Sequence, residues 1–395
     1  MSDWIFAVLI STIAVRESRG IYILMKIIAF YLPQYHEIAE NNEWWGKGFT
    51  EWTNVKKAKP LFEGHNQPRE PLNENYYNLL DDNIKRWQVK LAKENGIYGF
   101  CFYHYWFNGH LLLEKPVEQY LKNKELDFPF CLCWANENWT NAWAADGSKI
   151  LISQTYGDRE EWRKHFEYFL PFFRDDRYIK DNGEPILVIY RPDIMEHMNE
   201  IFDYWKRLAI ENGFHGLKIA SQFSMPDDLG GDDSRIDYFI EYQPNYASRW
   251  IKGKTYNFFR LQKKKIATFL DSKFSKNFFS THNLETHLEK RDYDKFWKAI
   301  LMHTPESTKS VAGAFVDWDN TPRKGIRGSV FTNSSPEKFQ FYFSQLINKV
   351  KEEYKNEYIF IFAWNEWAEG GYLEPDANNG YKYLEAVKKS ICENE

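Results

Sequence analysis

Short apolar runs recur along the chain, and polar segments with helical patterning separate them. Several runs are almost continuously apolar, which is typical of strands buried on both faces of a parallel sheet. The runs predict eight strands: Ile27–Tyr31, Tyr98–Tyr105, Phe128–Ala135, Pro185–Tyr190, Leu217–Phe223, Tyr238–Tyr242, Val311–Val316 and Tyr358–Ala363.

The segments between these strands carry helix signals, and two of them stop at Asn-Gly pairs. The predicted helices are Asn78–Glu94, Glu160–Phe173, Met195–Glu211, Pro336–Tyr354 and Tyr381–Cys392. Alternating strands and helices predict an α/β fold, a single (β/α)₈ TIM barrel over residues 25–395 with long loops over its C-terminal face. The alternative is a doubly wound open sheet, which favours a Gly-rich phosphate loop after the first strand. The sequence Leu32–His36 stands there instead, so the barrel is favoured.

Two stretches exceed a minimal barrel: Glu37–Asn75, and Ala247–Pro305 between the sixth and seventh predicted strands. Loops of this length usually carry function or cover a site. Within the first stretch, residues 44–72 either cover a pocket or pack on themselves.

Within the N-terminal residues 1–24, the apolar stretch Asp3–Val15 is too short to span a bilayer, and no basic residue precedes it as in a signal peptide. We expect residues 1–24 to be an extension outside the fold, with a short membrane-surface anchor as the alternative. The rest of the chain offers no membrane-spanning stretch, and we expect a cytoplasmic protein.

Composition narrows the function. The net charge of −5 supplies no basic field for nucleic acid. The four cysteines have no zinc or redox spacing, and we interpret them as reduced core thiols. Aromatic residues make up 18% of the chain, and many tryptophans stand beside Asn, Asp, Glu or His. That combination suits a sugar, which has an apolar face and a ring of hydroxyls. We predict an oligosaccharide or glycan substrate, with no metal and no organic cofactor.

Candidate site residues follow most of the predicted strands, at the barrel end where chemistry collects. The recurrence of polar and aromatic side chains at these ends predicts a sugar-binding pocket. The candidates are Tyr31, Gln34, His36, Trp45, Glu51, Trp52, His104, Tyr105, Trp106, Trp134, Asn136, Glu137, Trp139, Tyr190, Arg191, Glu241, Asp317, Trp318, Asp319, Asn320, Arg323, Trp364, Asn365, Trp367 and Glu374.

Glu366 and Glu369 stand after the last predicted strand, between and beside two tryptophans. Glycosidic cleavage generally uses two carboxylates, and proximity and burial tend to raise the pKa of one of them. The pair could instead be solvated at a helix start, where the helix dipole favours acids. A second alternative pairs Glu366 with Glu137 on opposite walls of the barrel.

Two groups of residues have side chains of the kind that bind metal ions. His36 and His104 could be ligands, but no second histidine stands at ligand spacing, and hydrogen bonding to sugar is favoured. Asp317 and Asp319 form one Asp-x-Asp motif like that of nucleotide-sugar transferases, but the surrounding nucleotide-binding fold is missing.

Six motifs together resemble the WbsX-type proteins, which are associated with bacterial lipopolysaccharide and surface-polysaccharide synthesis. They are the segments 30–36, 44–52, 101–106, 134–139, 318–323 and 364–370, and the resemblance covers about residues 26–390. That group is in turn similar to glycoside hydrolase family 99, the endo-α-mannosidases and endomannanases, mainly through the last motif.

The resemblance implies a retaining reaction at an α-mannoside-like bond. Glu366 matches the residue that removes the 2-hydroxyl proton, so that O2 attacks C1 and gives a 1,2-anhydro sugar. Glu369 matches the general acid, which later activates the acceptor. Ala368 stands where the family usually has histidine.

The leading hypothesis is therefore a glycosyl-cleaving or glycosyl-transferring enzyme, acting at the periphery of a polysaccharide-synthesis complex. The alternatives are a catalytically silent glycan-binding barrel and a structural scaffold. The presence of both glutamates favours the enzyme, because a binder does not need the second acid.

Overall fold

The computed structural model describes residues 25–141, 149–251 and 287–394, so the predicted extension at residues 1–24 lies outside the described part. The central strands are β1 Lys26–Tyr31, β2 Gly99–Phe107, β3 Phe130–Trp134, β4 Glu184–Ile189, β5 Lys218–Ser221, β6 Tyr238–Ile240, β7 Ser310–Phe315 and β8 Tyr358–Phe362. Each pairs in parallel with the next, and β1 also pairs with β8. The closed ring confirms the predicted barrel.

Helices surround the strands. They are α1 Ala39–Trp45, α2 Glu51–Lys57, α3 Asp82–Glu94, α4 Lys115–Lys122, α5 Arg159–Phe173, α6 Met198–Glu211, α7 Ala247–Ile251, α8 Tyr293–Met302, α9 Thr321–Lys324, α10 Pro336–Glu353 and α11 Lys382–Cys392. Single 3₁₀ turns occupy Leu72–Glu74, Pro192–Ile194, Pro226–Leu229, Gly325–Arg327 and Trp367–Glu369. All five predicted helices are present.

Three short two-stranded sheets lie outside the ring of barrel strands in the described part of the chain. Glu289–Asp292 pairs with Ser329–Thr332, Trp139–Thr140 with Ile150–Ile152, and Asn365–Glu366 with Gly371–Tyr372. His110–Leu112 pairs antiparallel with β2, and Lys180–Asp181 pairs antiparallel with β4.

Local chemistry sets the helix ends. The side chain of Asp81 accepts a hydrogen bond from the backbone of Asn83, so α3 begins at Asp82 and not at the predicted Asn78. The helix stops at Asn95, and Gly96 follows with a φ of +79°, as the Asn-Gly signal predicts.

The core forms between the strands and the helix layer. Most strand residues are buried on both faces, and aromatic side chains of the helices pack against them. A fully buried large apolar side chain contributes about 2 kcal/mol. Cys101, Cys131 and Cys133 are buried thiols of β2 and β3, as predicted. Cys392 is exposed at the end of α11, so its interpretation as a core thiol is wrong.

The two long stretches are not simple loops. Residues 37–75 contain α1, α2 and a 3₁₀ turn. The described part of residues 247–305 contains α7 and α8, which corrects the expectation of a loop. Trp297 of α8 is fully buried and stacks on Phe315 of β7 with ring centroids 5.4 Å apart. The apolar spacing of Phe296, Trp297 and Ile300 is that of a barrel helix.

Among the helices in the described ranges, none has the length and apolar character needed to cross a bilayer.

Candidate active site

The segment after β8 is fixed to the end of β1 by Asn365. Its side-chain Oδ1 accepts from the N–H of Leu32 over 2.8 Å, and its Nδ2 donates to the Leu32 carbonyl over 3.0 Å. Glu366 follows at once and pairs with Gly371, while residues 367–369 form a tight turn. The turn presents both glutamates at the C-terminal mouth of the barrel.

Gly370 makes this turn possible. Its φ is +67°, and a Cβ at this position would lie 2.7 Å from the backbone nitrogen of Asp319. The same nitrogen donates to the carbonyl of Glu369 over 2.7 Å. The turn therefore packs directly against the segment that follows β7, and only glycine fits there without strain.

Arg323 is the cation of the site. Its Nη1 donates to Oε1 of Glu369 over 2.5 Å, and its Nη2 lies 3.5 Å from Oε2 of Glu366. Its Nε donates to Glu51 over 2.9 Å, and Nη2 also bonds to Glu51. One guanidinium with a side chain 5% exposed thus contacts three carboxyl groups.

The loop that carries Arg323 is itself fixed. Oδ1 of Asp319 accepts from both the backbone nitrogen and the hydroxyl of Thr321, the first residue of α9. Oδ1 of Asn320 accepts from the backbone of Ser329 over 2.8 Å. Asp319 and Asn320 therefore position the guanidinium and are committed to protein contacts.

The two glutamates differ in their surroundings. Burial, followed by the charge of Glu369, raises the pKa of Glu366 well above its usual range, while Arg323 opposes the shift. Glu369 is more open, with a side chain 20% exposed, and of the two glutamates it lies closer to Arg323. The surroundings of Glu366 therefore favour its protonated form.

A cavity of about 330 Å³ opens in front of these groups, the size of a small-ligand pocket. Its walls combine aromatic rings with hydrogen-bonding groups. They are Leu32, Gln34, Tyr103, Tyr105, Ala135, Glu137, Asn138, Trp139, Thr140, Tyr190, Tyr242, Arg323, Lys324, Glu366 and Glu369. Such a lining can bind the apolar face and the hydroxyls of a sugar together.

A smaller cavity of about 230 Å³ adjoins the first and shares Gln34 and Trp139 with it. Trp45, Phe49, Glu51, Asn54 and Lys57 complete its walls. Residues of the stretch 44–72 therefore do border the site, as one of the two interpretations of that stretch holds.

A buried carboxyl group supports the turn from below. Glu374 accepts hydrogen bonds from Trp367 Nε1 over 2.7 Å, Tyr77 over 2.8 Å and Gln88 over 2.7 Å. Burial raises the pKa of Glu374 to about 7. Trp52 packs on Trp367 with centroids 5.4 Å apart. The predicted residues Trp52, Trp367 and Glu374 therefore form a buried floor beneath the turn. They do not line the cavity.

Several predicted residues on β2 and β3 face the helices instead. His104 Nε2 lies 2.9 Å from Nε2 of His165, and Trp106 stacks on the same ring at 4.5 Å. Trp134 meets His165 at 4.6 Å. Burial lowers the pKa of His104 to about 3, which keeps it neutral. Side chains alternate along a strand, and these positions fall on the outer face.

Other predicted residues are occupied by structural contacts. His36 bonds to the carbonyl of Pro33 at 3.1 Å, and Tyr31 donates to Gln88 over 2.6 Å. Asn136 holds the backbone of Arg191, and Glu241 accepts from Tyr354.

The remaining predicted residues divide between rim and core. Arg191 bonds to Glu137 over 2.8 Å at the cavity rim. Trp318 donates to Ser329 over 3.0 Å, and Trp364 is fully buried. Asp317 pairs with Arg69 over 2.8 Å, outside this cavity. No group of three or more His, Cys, Asp or Glu residues in the described ranges could hold a metal ion.

Sequence reasoning missed Tyr103 and Tyr242, which line the cavity. Strand alternation indicates them only once the cavity side of each strand is known: Tyr103 then shares the face of Tyr105, and Tyr242 lies opposite to Glu241, which bonds to Tyr354. It also missed Leu32, Ala135, Asn138, Thr140 and Lys324, which line the cavity as well.

The fold and the site together define a closed (β/α)₈ barrel with two carboxyl groups at the mouth of an aromatic, polar cavity. The family model described as Glycosyltransferase WbsX matches residues 27–387. The chain therefore belongs to the WbsX glycosyltransferase family.

Two curated relatives are both described as uncharacterized protein WxcX, from strains B100 and ATCC 33913 of Xanthomonas campestris pv. campestris. Each is 33% identical over 377 residues, which is 92% of this chain and 49% of the relative. The chain thus spans about half the length of these relatives.

Solved structures share the fold. The GH99 endo-alpha-mannosidase from Bacteroides thetaiotaomicron aligns with a TM-score of 0.53 at 13% identity, over 93% of this chain and 96% of that one. A glycoside hydrolase-like protein aligns with a TM-score of 0.56 at 12% identity, over 93% of this chain and 94% of that one.

Proposed function

We propose that this protein is an enzyme of bacterial surface-polysaccharide synthesis that cleaves or transfers an α-mannoside-like unit with retention. Glu366 and Glu369 are the proposed catalytic residues. The observation that carries the proposal is their joint placement with Arg323 at the mouth of a sugar-sized cavity. Family membership supports the substrate class.

The proposed first step forms an intermediate on the sugar itself. Glu366 takes the proton of the 2-hydroxyl, and O2 attacks C1 to give a 1,2-anhydro sugar. The bond from C1 to the leaving oxygen breaks, and Glu369 donates a proton to that oxygen. At the end of this step Glu366 is protonated and Glu369 is ionised.

The second step reverses these roles. Glu369 takes a proton from the acceptor, whose oxygen bonds to C1. The bond between C1 and O2 breaks, and Glu366 returns its proton to O2. Two inversions at C1 give net retention. With water as acceptor the result is hydrolysis, and with a sugar hydroxyl it is transfer.

The raised pKa of Glu366 supports the second step more directly than the first, because Glu366 is the proton donor in the second step. The first step needs Glu366 as a base. Bound substrate must therefore lower the pKa of Glu366 before the first step. Since both carboxyl groups contact one guanidinium, a small movement of Arg323 would change both.

A glycan-binding barrel without turnover is the second candidate. The contact of 2.5 Å between Arg323 and Glu369 favours it, because an ion-paired carboxylate is a poor proton donor. In that case the cavity would hold the sugar and release it unchanged.

The test compares the protein with its Glu366→Gln and Glu369→Gln variants on α-linked manno-oligosaccharides and aryl α-mannosides, followed by mass spectrometry with and without acceptor sugars. We expect both variants to lose at least about 100-fold in kcat. Glu137→Gln tests the opposite-wall pair, and Glu385→Gln on α11 is a control outside the cavity. Product masses separate hydrolysis from transfer.

Aryl mannosides with good leaving groups assign the roles. They need no proton for the first step, so Glu369→Gln should keep that step while Glu366→Gln loses it. The reverse pattern would exchange the roles. Binding of the oligosaccharides without any turnover would favour the glycan-binding barrel.

A further inference from the structure

A second polar cavity, of about 410 Å³, lies outside the proposed active site. It shares no lining residue with the cavities beside Glu366 and Glu369. Its walls come from the long segment after β1, from residues 330–334 that precede α10, and from the turn before α11. Arg69 belongs to these walls, and its Nη1 donates to the carbonyl of Gly370 over 3.1 Å. The cavity thus borders the segment that supports the catalytic turn.

The charges in this cavity compensate each other. Nη2 of Arg69 donates to Oδ2 of Asp317 over 2.8 Å, and the two side chains are only 9% and 7% exposed. His65 also lines the cavity and is bonded to Asp319 at 2.8 Å. A site in which the cation already has a carboxylate partner offers little advantage to an anion. This favours a neutral ligand.

The same pair retains hydrogen-bonding capacity. Oδ1 of Asp317 and Nε of Arg69 are buried and have no hydrogen-bond partner in the described part of the chain. Buried polar groups are normally paired, and each unpaired one costs about 1–3 kcal/mol. A ligand hydroxyl can both donate to the carboxylate and accept from the guanidinium after a small adjustment of these side chains.

The rest of the lining is rich in amides and hydroxyls. Asn66, Asn333, Asn378 and Asn379 each carry a donor and an acceptor, and Ser334 adds a hydroxyl. Phe62 contributes an apolar wall. Groups that both donate and accept match the alternating hydroxyls of a sugar ring, and the apolar wall matches its C–H groups.

We propose that this cavity binds a neutral pyranose unit, at a site separate from the one that reacts. The inference goes beyond the proposed function and depends on it only for preferring sugars among neutral polyols. The bound unit would lie against the Arg69–Asp317 pair, with the asparagines at its hydroxyls. A glycan could thereby be held at two places on one barrel.

Titration calorimetry tests this with the full chain in a Glu366→Gln background, which excludes turnover. The probes are the methyl α-glycosides of mannose, glucose, galactose, rhamnose and N-acetylglucosamine, each up to about 10 mM, a range typical of weak binding. We expect two saturable sites per chain for at least one probe. Inorganic phosphate and acetate should not compete at the second site.

Two further variants assign the second site. Ser334→Trp fills the cavity and should abolish binding there. Asn378 is exposed, and in the described part of the chain the one hydrogen bond of its amide is to Asn66. Asn378→Ala should weaken binding about 5-fold, the loss of one hydrogen bond. Tyr105→Ala should weaken the other site. Asn199→Ala, which also removes one exposed side-chain hydrogen bond but lines none of the three cavities described above, is the matched control. Thermal unfolding checks that each variant folds.

The proposal is overturned if only one class of site is found and it is lost in Tyr105→Ala. It is also overturned if Ser334→Trp and Asn378→Ala both bind sugar as the parent does, if none of the five glycosides binds, or if phosphate displaces the sugar. Because binding is measured without turnover, the outcome of this test does not depend on whether the proposed reaction is correct.

Discussion

Arg323 donates through Nη1 to Oε1 of Glu369 across 2.5 Å, and this contact joins the loop after β7 to the turn after β8. The same guanidinium bonds to Glu51 and lies 3.5 Å from Glu366. Three acids around one cation leave the site with excess negative charge when all are ionised. The position of this guanidinium therefore affects the pKa of Glu366, which its positive charge lowers.

Replacing Arg323 should alter catalysis through its pH dependence as well as its rate. In Arg323→Gln the carboxylates lose their cation, so the pKa of Glu366 should rise further and the acid limb of kcat/KM should move to higher pH. We expect a loss in kcat of about 100-fold. Arg323→Lys keeps the charge and should restore part of the pH profile. Arg327→Gln, an exposed neighbour, is the control. An unchanged profile in Arg323→Gln would show that the cation does not tune the pair.

Gly370→Ala tests the close packing of the turn. Its Cβ would meet the backbone nitrogen of Asp319 at 2.7 Å in a left-handed conformation, so Glu369 must move. We expect kcat to fall about 10-fold or more, because small displacements of catalytic groups are costly. We also expect a loss of about 1–3 kcal/mol in the free energy of unfolding.

Gly380→Ala is the matched control for this substitution. Gly380 has a similar φ of +58°, but no atom lies within 4 Å of a Cβ built there. It should show only the backbone cost of about 1 kcal/mol and normal activity. Equal kinetics in the two variants would show that the turn tolerates displacement.

Glu374 should make stability fall as the pH rises. Its pKa is raised to about 7 in the folded protein, so between its unfolded value and about pH 7 the folded state binds more protons than the unfolded state. The free energy of unfolding then decreases with pH and levels off above about pH 7. Urea unfolding at pH 5 and pH 8 measures this. The difference in the free energy of unfolding between the two pH values should be about 2 kcal/mol smaller in Glu374→Gln than in the parent protein. Parallel curves for the two proteins would contradict the buried, protonated assignment.

Asn365→Ala should affect stability more than substrate affinity. The side chain is fully buried, and its two bonds to Leu32 link the barrel's first and last strands. Its removal leaves two buried backbone groups unpaired, and we expect a loss of about 2–4 kcal/mol. Asn138→Ala, at the exposed rim, should cost less than about 1 kcal/mol. A large rise in KM at unchanged stability in Asn365→Ala would instead support direct contact with sugar.

The barrel was predictable because every strand is a distinct apolar run and two of the helices stop at Asn-Gly pairs. Prediction from sequence was less successful at deciding which face of a strand points toward the cavity. On β2 the residues Tyr103, His104, Tyr105 and Trp106 are all aromatic or imidazole, and both faces of the strand are buried. With no polar alternation to distinguish the faces, sequence alone could not separate the cavity side from the helix side.

Long-range pairing set the second limit. Sequence motifs selected Glu51, Arg323 and Glu369 separately, but nothing local indicates that Arg323 pairs with Glu51 across 272 positions. The structural role of Trp367 and Glu374 beneath the turn could not be predicted for the same reason. Tyr77 and Gln88, which bond to Glu374, are 297 and 286 positions away from it in the sequence.

The contact between Leu32 and Asn365 spans 333 positions of the sequence. Leu32, at one wall of the site, is therefore synthesised 333 positions before Asn365, and the two glutamates follow soon after Asn365. Contacts of such separation form late in folding, after the loops between them have closed. A nascent chain that has not yet released β8 already contains Tyr103 and Tyr105 of the cavity but neither glutamate. The proposed catalytic pair is therefore complete only after the whole of β8 has been synthesised.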